Sequence, residues 1–445
     1  MSLASSSRLL QRTRAALNLH PGEGPAFVAA FFYFFFLLAA YYILRPLREQ
    51  FGVANGAANL QYLYTGTFVT MLLVIPVFGK LSATLSRVPL IVSAHVFFAA
   101  NLLLMYAALQ LGFDRLWVGR IFFVWVSVFN LFAVSLFWSF LVDVFSREQT
   151  TRLFGPIAAG GSIGALAGGG VVSIGVERLG YESLFPIAAG LLLVTIGFVI
   201  ALSRWQRDGR VGRAKDDVAA TRGAALGGGI FDGLRLLRSS GYLAGVAGVM
   251  LLYTMSTTFL YFEQANLVEA GIADADARTR FFANINLATN ALALVVQFFV
   301  VGRLIGGIGL ARTALIMPLI AMVGLSVLAM APSLFVVAIL QVLTRGGQFA
   351  VMKPVQDMLF AIVSREAKYK TKNVVDTAVY RGGDLFTSWL FASLSRLGAS
   401  LGALAWVGAS FAAAWVGLAW YVGRRYERRD VGSLASASDP GRKTS

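Results

Sequence analysis

The chain has 445 residues, 57% of them hydrophobic and 13% charged, and no cysteine; its mean hydropathy is +0.71. About a quarter of the residues of a soluble domain are charged, so this composition excludes an ordinary soluble enzyme. The 38 Lys and Arg against 22 Asp and Glu give a net charge of +16, which in a soluble protein would point to nucleic acid. Here the positions of the charges argue against that partner.

An α-helix rises about 1.5 Å per residue, so crossing a hydrocarbon core of about 30 Å takes roughly 20 apolar residues. Twelve such spans are predicted, near 24–44, 59–81, 88–111, 117–142, 153–175, 183–203, 241–268, 280–304, 312–330, 332–356, 376–395 and 400–422. Residues 1–23 are basic and Ser-rich, and the apolar run behind them is too long for a signal-peptide core, so the first span reads as an uncleaved helix. Of the Lys and Arg, 27 fall on the side that carries both termini, 8 on the other side and 3 (Arg345, Lys353, Arg381) inside spans. Basic residues stay cytoplasmic, so both termini are expected in the cytoplasm of an inner-membrane protein whose partner is the lipid bilayer. The basic balance is a topology signal.

The longest polar interruption divides the spans six and six: an N-terminal half 1–203, a cytoplasmic linker 204–240, a C-terminal half 241–423 and a cytoplasmic tail 424–445. Within the linker, IFDGLRLLRSS suits a short amphipathic helix on the membrane surface. Two six-helix halves joined by a long cytoplasmic loop is the plan of the major facilitator fold, an all-α membrane architecture with 12 transmembrane helices. Folds of this plan bind substrate near the midplane and expose it to each side in turn.

Charged residues in a span cost a few kcal/mol to insert, so each needs a reason. In YYILRPLRE (41–49), Arg45 and Arg48 share a helix face, and Arg45 and Glu49 have pairing spacing. Two guanidiniums suit a phosphate or carboxylate; equally, both side chains snorkel to headgroups if Pro46 ends the helix. In span four, Asn130 and Trp138 roughly share a face, so the indole either stacks on a planar ligand or sits at the interface, while Asp143 is spaced to pair with Arg147. Gly160, Gly164 and Gly168, four apart, form a flat strip for close helix packing. In span seven, Glu263 follows an aromatic run and could bind a cation, take a proton or pair with an arginine. The densest group, 344–386, holds Arg345, Lys353, Asp357, Arg381 and Asp384. Lys353 and Asp357 have pairing spacing with Pro354 between them, as do Arg381 and Asp384. Such a group implies a charged, water-filled cavity, a salt-bridge gate or mutual neutralisation for packing. His20 and His95 are isolated, so no metal site is expected. There is no Gly-Lys-Ser/Thr phosphate loop, so ATP hydrolysis is not expected. No cofactor and no catalytic residue are read from the sequence.

At these same segments the sequence resembles the ATP/ADP translocase family of nucleotide exchangers, in a divergent bacterial branch of the major facilitator type. The matching pieces are YYILRPLRE (41–49), GKLSATLSR (79–87), SLFWSF with REQTTRLFG (135–155) and SREAKYKTKNVVDTAVYRGGD (364–384). The resemblance implies counter-exchange of nucleotides, with Arg48 at the family's basic position in span one. The pattern departs at three places. The family's carboxylate in span four falls near Val126, that of span seven near Tyr261 with Glu263 two residues on, and the basic residue of span eleven at Asp384.

The sequence thus leads to a secondary transporter for nucleotides or related anionic metabolites. Its expected substrate residues are Arg45, Arg48, Trp138, Glu263, Lys353, Asp357, Arg381 and Asp384. A proton-coupled carrier of another solute and a non-transporting membrane scaffold are the alternatives.

Overall fold

Each long apolar stretch forms a helix, and local chemistry sets its ends. A computed structural model describes residues 19–210, 235, 237, 240–360, 362–363, 371–372 and 374–438. The first six helices are α1 (Gly24–Ala54), α2 (Leu60–Thr84), α3 (Arg87–Gln110), α4 (Arg115–Val144), α5 (Arg147–Leu179) and α6 (Leu184–Arg210). They are followed by α7 (Gly241–Gly271), α8 (Ala275–Phe299), the short α9 (Val301–Ile308), α10 (Leu310–Met330), α11 (Leu334–Gly347), α12 (Lys353–Leu359), α13 (Tyr380–Arg396) and α14 (Leu401–Ser438). No strand occurs among the described residues. The Asp114 side chain caps α4 by accepting from the Leu116 N–H. Ser146 and Gln149 close a reciprocal capping box on α5, and Ser333 accepts from the Val336 N–H on α11. These acceptors satisfy donors that a helix start otherwise leaves without partners.

Among the described residues, 11 helices are long and apolar enough to cross a membrane. The remaining predicted span is α13, only 17 residues long, which follows a π-helical turn at Val375–Val379. Large apolar side chains such as Leu104, Ile174, Phe298, Met330 and Phe335 stand exposed along the spans, as lipid-facing surface requires. The chain is a multi-pass membrane protein.

Two boundaries differ from the sequence reading in a way that matters for function. α1 does not end at Pro46; it continues as helix to Ala54, so Arg45 and Arg48 lie inside it. Proline in a membrane helix is tolerated because neighbouring groups compensate for the lost backbone bond. The last span, expected over 400–422, continues as α14 to Ser438. The amphipathic segment 230–240 falls almost wholly outside the described residues, as does the basic loop 364–372 apart from Thr371 and Lys372. The Ser-rich start, residues 1–18, and the last seven residues lie outside them too.

By internal packing the helices form two units. The first takes the described residues of Met1–Asn55, Val69–Arg222 and Ile272–Leu287; the second those of Gly56–Phe68, Gly223–Gly271 and Ala288–Ser445. This division differs from a cut at the linker in two short stretches, 56–68 and 272–287. The first unit is built on α1 against α5. A Cβ added at Gly160 would stand 2.6 Å from the Phe31 carbonyl oxygen, and one at Gly164 or Gly168 would meet the carbonyl oxygen of Phe35 or Ala39. The glycine strip therefore lets two backbones touch, as its spacing implied. In the second unit, Trp415 of α14 is buried and packs edge-on against Tyr253 of α7, with ring centroids 5.5 Å apart.

Candidate functional site

The charged residues of the first unit gather on the C-terminal part of α1. Arg48 pairs with its neighbour Glu49 at 3.2 Å, and its guanidinium lies 3.9 Å from the centroid of the Phe123 ring on α4. The aromatic face fixes Arg48 by cation–π attraction and leaves its side chain 19% exposed. Arg45 turns instead to Tyr42, donating to the hydroxyl at 3.4 Å. Among the described residues no carboxylate lies within ion-pair distance of Arg45. The spacing rule favoured Arg45 with Glu49; the structure pairs the carboxylate with Arg48. A third basic group, Arg120 of α4, donates to Asn55 at 2.6 Å just beyond the end of α1 and lies over Trp117. No sequence signal separated Arg120 from an ordinary loop arginine. Trp138 is packed among Phe34, Phe137 and Phe154, with centroids 5.0 to 5.3 Å apart.

A second polar cluster of this unit stands where α1 and α5 begin. Glu23, almost fully buried, receives two bonds from the Arg152 guanidinium at 2.9 and 3.2 Å. The Gln149 amide and the His20 N–H each donate to it at 2.9 Å. Burial alone would raise this carboxyl, but Arg152, Gln149 and the His20 N–H together hold it down at about 2. Asp143, expected to pair with Arg147, instead meets Arg87 of α3 at 2.7 Å. Both contacts join residues far apart in sequence, and spacing within one helix could not reveal them.

In the second unit the charged residues sit beside irregular helix. A π-helical turn, Gln348–Met352, joins α11 to α12, so the expected disturbance by Pro354 takes the form of a wide turn just before it. The second π-turn, Val375–Val379, immediately precedes Tyr380, Arg381 and Asp384. Such turns shift the hydrogen-bond ladder by one residue and recur at functional sites. Arg381 and Asp384 do share a face, 3.9 Å apart, and Thr258 of α7 donates to Asp384 at 2.8 Å. The neighbouring hydroxyls of Thr254, Ser256 and Thr257 bond back to carbonyls of their own helix, so Thr258 alone among these four reaches across to Asp384. Tyr253 stands 6.5 Å from Tyr380 and within electrostatic reach of both Asp384 and Arg345. Lys353 reaches Gln356 at 3.5 Å, and Asp357 takes Lys372 at 2.7 Å in place of Lys353. Glu263 is fully buried on α7 and joins neither group. Among the described residues no cluster of three His, Cys, Asp or Glu stands where a metal could bind.

No family model matches the sequence. ADP,ATP carrier protein 1 of Chlamydia pneumoniae is 21% identical over 328 residues, which cover 64% of this chain and 63% of the carrier. The chain therefore spans less than two thirds of that relative's length. Among solved structures, the nucleoside transporter NupG superimposes with a TM-score of 0.60 at 14% identity, covering 91% of this chain and 98% of that one. An auto-inhibited POT family peptide transporter gives 0.58 at 15% identity over 91% and 97%. A bacterial metal transporter gives 0.57 at 13% over 92% and 99%. The chain has the major facilitator fold. These likenesses stop at the fold, which hosts many cargoes.

Proposed function

We propose that this chain is a secondary transporter of the inner (cytoplasmic) membrane, with both termini cytoplasmic, that exchanges nucleotides or related anionic metabolites by alternating access. What carries this reading is Arg45: a guanidinium inside an unbroken helix, three residues from Arg48, bonded to the Tyr42 hydroxyl and, among the described residues, with no carboxylate within ion-pair distance, Glu49 acting on it only at longer range. Holding a cation there is costly, and an anionic ligand repays that cost. Arg48, fixed by Phe123, offers a second fork of donors on the same face. The likeness to a carrier named for ADP and ATP supports phosphate as the recognised group.

On the second unit's α13, Asp384 holds Arg381 at a distance that leaves the arginine open to a stronger partner. A substrate phosphate competes for Arg381, and Thr258 then keeps Asp384 hydrogen-bonded. Arg381 with Asp384, and Asp357 with Lys372 beside Lys353, accordingly act as exchangeable ion pairs, which part and re-form as substrate comes and goes.

The test is a thermal-shift screen of the purified protein with ATP, ADP, organic anions, sugars and amino acids, followed by exchange of labelled ADP in proteoliposomes. A ligand that binds the native state raises the melting temperature. A charge-assisted hydrogen bond contributes about 1.5 to 3 kcal/mol, so Arg45→Ala is expected to weaken binding roughly 10- to 100-fold, with Arg45→Lys intermediate. A nucleotide shift that survives Arg45→Ala unchanged overturns the assignment of the site. A shift with sugars alone overturns the substrate class, and no transport of any solute favours the scaffold.

A further inference from the structure

Glu263 lies in the C-terminal third of α7 with no surface exposed, and neither carboxylate oxygen has a hydrogen-bond donor. Phe259, one turn earlier on the same face, packs against Phe391 of α13 and Phe411 of α14, with centroids 5.3 and 5.6 Å apart. The adjoining Phe262 packs on Phe391 at 4.9 Å. The residue next to Glu263 and the one a turn before it thus pack into aromatic layers shared with α13 and α14.

Charged groups occur on the elements packed against α7: Arg345 on α11, Asp376 on the π-turn Val375–Val379, Arg381, Asp384 and Arg396 on α13, Arg312 on α10, and the arginines and Glu427 near the end of α14. The turn at Ala57–Asn59 contributes none. On α7 itself Glu269 is engaged by the Ala57 N–H at 2.8 Å. Asp384 is held by Arg381 and Thr258, and Arg396 donates to Tyr62 at 3.2 Å. Glu427 accepts from the Ala311 N–H at 3.2 Å. No described residue forms an ion pair or hydrogen bond with Glu263.

An ionised carboxylate left alone in such surroundings would cost far more than folding can offset, and the group neutralises instead. A metal cation is a poor means of doing so, since hard cations gather six or more oxygens and no such set stands here. A proton needs no further ligand. We infer that Glu263 is a proton-binding site, neutral in the conformation described, which discharges when movement of α7 brings water to it. Built on the transport reading above, this makes the exchange proton-coupled: one proton enters or leaves the Glu263 carboxyl in each cycle, and the anion is carried separately.

The first test needs no substrate. Infrared spectra of the full-length protein in lipid nanodiscs, taken as the difference between wild type and Glu263→Gln, are expected to show a protonated-carboxyl carbonyl band at neutral pH. That band should fade reversibly as the pH is raised while the protein stays folded. Glutamine needs no proton, so Glu263→Gln should melt at or above the wild-type temperature; Glu263→Met supplies the same difference spectrum if the amide is not tolerated. Absence of the band shows an ionised group and overturns the inference. A band unmoved over the whole pH range of the folded protein shows a purely structural acid and overturns it equally. In proteoliposomes loaded with ADP, an imposed pH gradient should drive uptake of labelled ADP by wild type. Glu263→Gln should lose that drive; a variant that still responds to the gradient overturns the coupling. Wild type that moves no nucleotide defeats the transport reading, while the infrared result still decides the proton site.

Discussion

In the first unit, short ion pairs tie helix ends together: Glu23 to Arg152 at 2.9 Å, Arg87 to Asp143 at 2.7 Å and Arg115 to Glu182 at 2.9 Å. Backbones meet along the glycine strip of α5. In the second unit, Arg381 and Asp384 are 3.9 Å apart, two π-turns interrupt the helices beside them, and several fully buried polar groups lack partners. These include Glu263 and the amides of Gln61 and Gln264. Buried polar atoms are ordinarily satisfied, and those that are not mark places held ready for a ligand, for water or for another conformation. The first unit thus ties its helix ends around the arginines of α1, and the second sets its charged residues beside π-turns, where the Arg381–Asp384 pair is long and the Asp357–Lys372 pair short.

The largest effect expected from this contrast follows overfilling of the glycine strip. Gly164→Leu forces a side chain into the Phe35 backbone, and overpacking beyond what side chains can absorb disrupts folding. The variant should fail to give a monodisperse peak on size exclusion. Gly170→Ala, with nothing within 4 Å of the added carbon, should behave as wild type; equal damage from both would show that the strip plays no special part.

Next in size, Glu23→Ala removes the acceptor of Arg152, Gln149 and the His20 N–H and is expected to lower the denaturant midpoint, measured by unfolding in detergent. The same pair gives a pH dependence. Because the folded carboxyl sits at about 2 rather than 4.5, its contribution is whole above the unfolded value and is lost as the pH falls from about 4.5 towards 2. The stability gap between wild type and Glu23→Gln should be constant near neutrality and narrow through that acid window; a constant gap down to the lower limit would show that Glu23 is not held by Arg152.

The smallest effect belongs to the second unit. Thr258→Val removes one hydrogen bond to Asp384 and should cost about 1 kcal/mol or less in stability, while changing the rate of labelled ADP exchange several-fold. A change in melting temperature with unaltered exchange would make this contact a structural one instead.

The helical class, the multi-pass arrangement and the glycine strip were legible because each rests on a repeat within one segment: length and apolarity for the spans, a spacing of four for the glycines. Arg381 with Asp384 was legible for the same reason. Other pairs were misread because spacing within a helix sees only local candidates. Asp143 had Arg147 in its own chain neighbourhood but folded against Arg87, and Asp357 passed over Lys353 for Lys372. Glu23 gave no signal at all, since its partners lie on α5. Pro46 suggested a helix end on backbone grounds, yet in a bilayer stopping the helix would expose more backbone than continuing it, and α1 runs on. Glu263 was visible as a candidate, but its complete burial depends on helices packed against α7, which spacing along one segment does not show.

The shortness of α13 bears on how the protein is made. A segment of 17 residues that carries Arg381 and Asp384 near one end and Arg396 at the other is a weak signal for the insertion machinery, because it is short and charges in a span disfavour transfer into the membrane. It enters the bilayer as a passenger of the long apolar α14, so a nascent chain ending at Arg396 should leave the segment outside until the next helix emerges. Arg381 and Asp384 thus reach the membrane long after Arg45 and Arg48, and only a completed chain carries both groups.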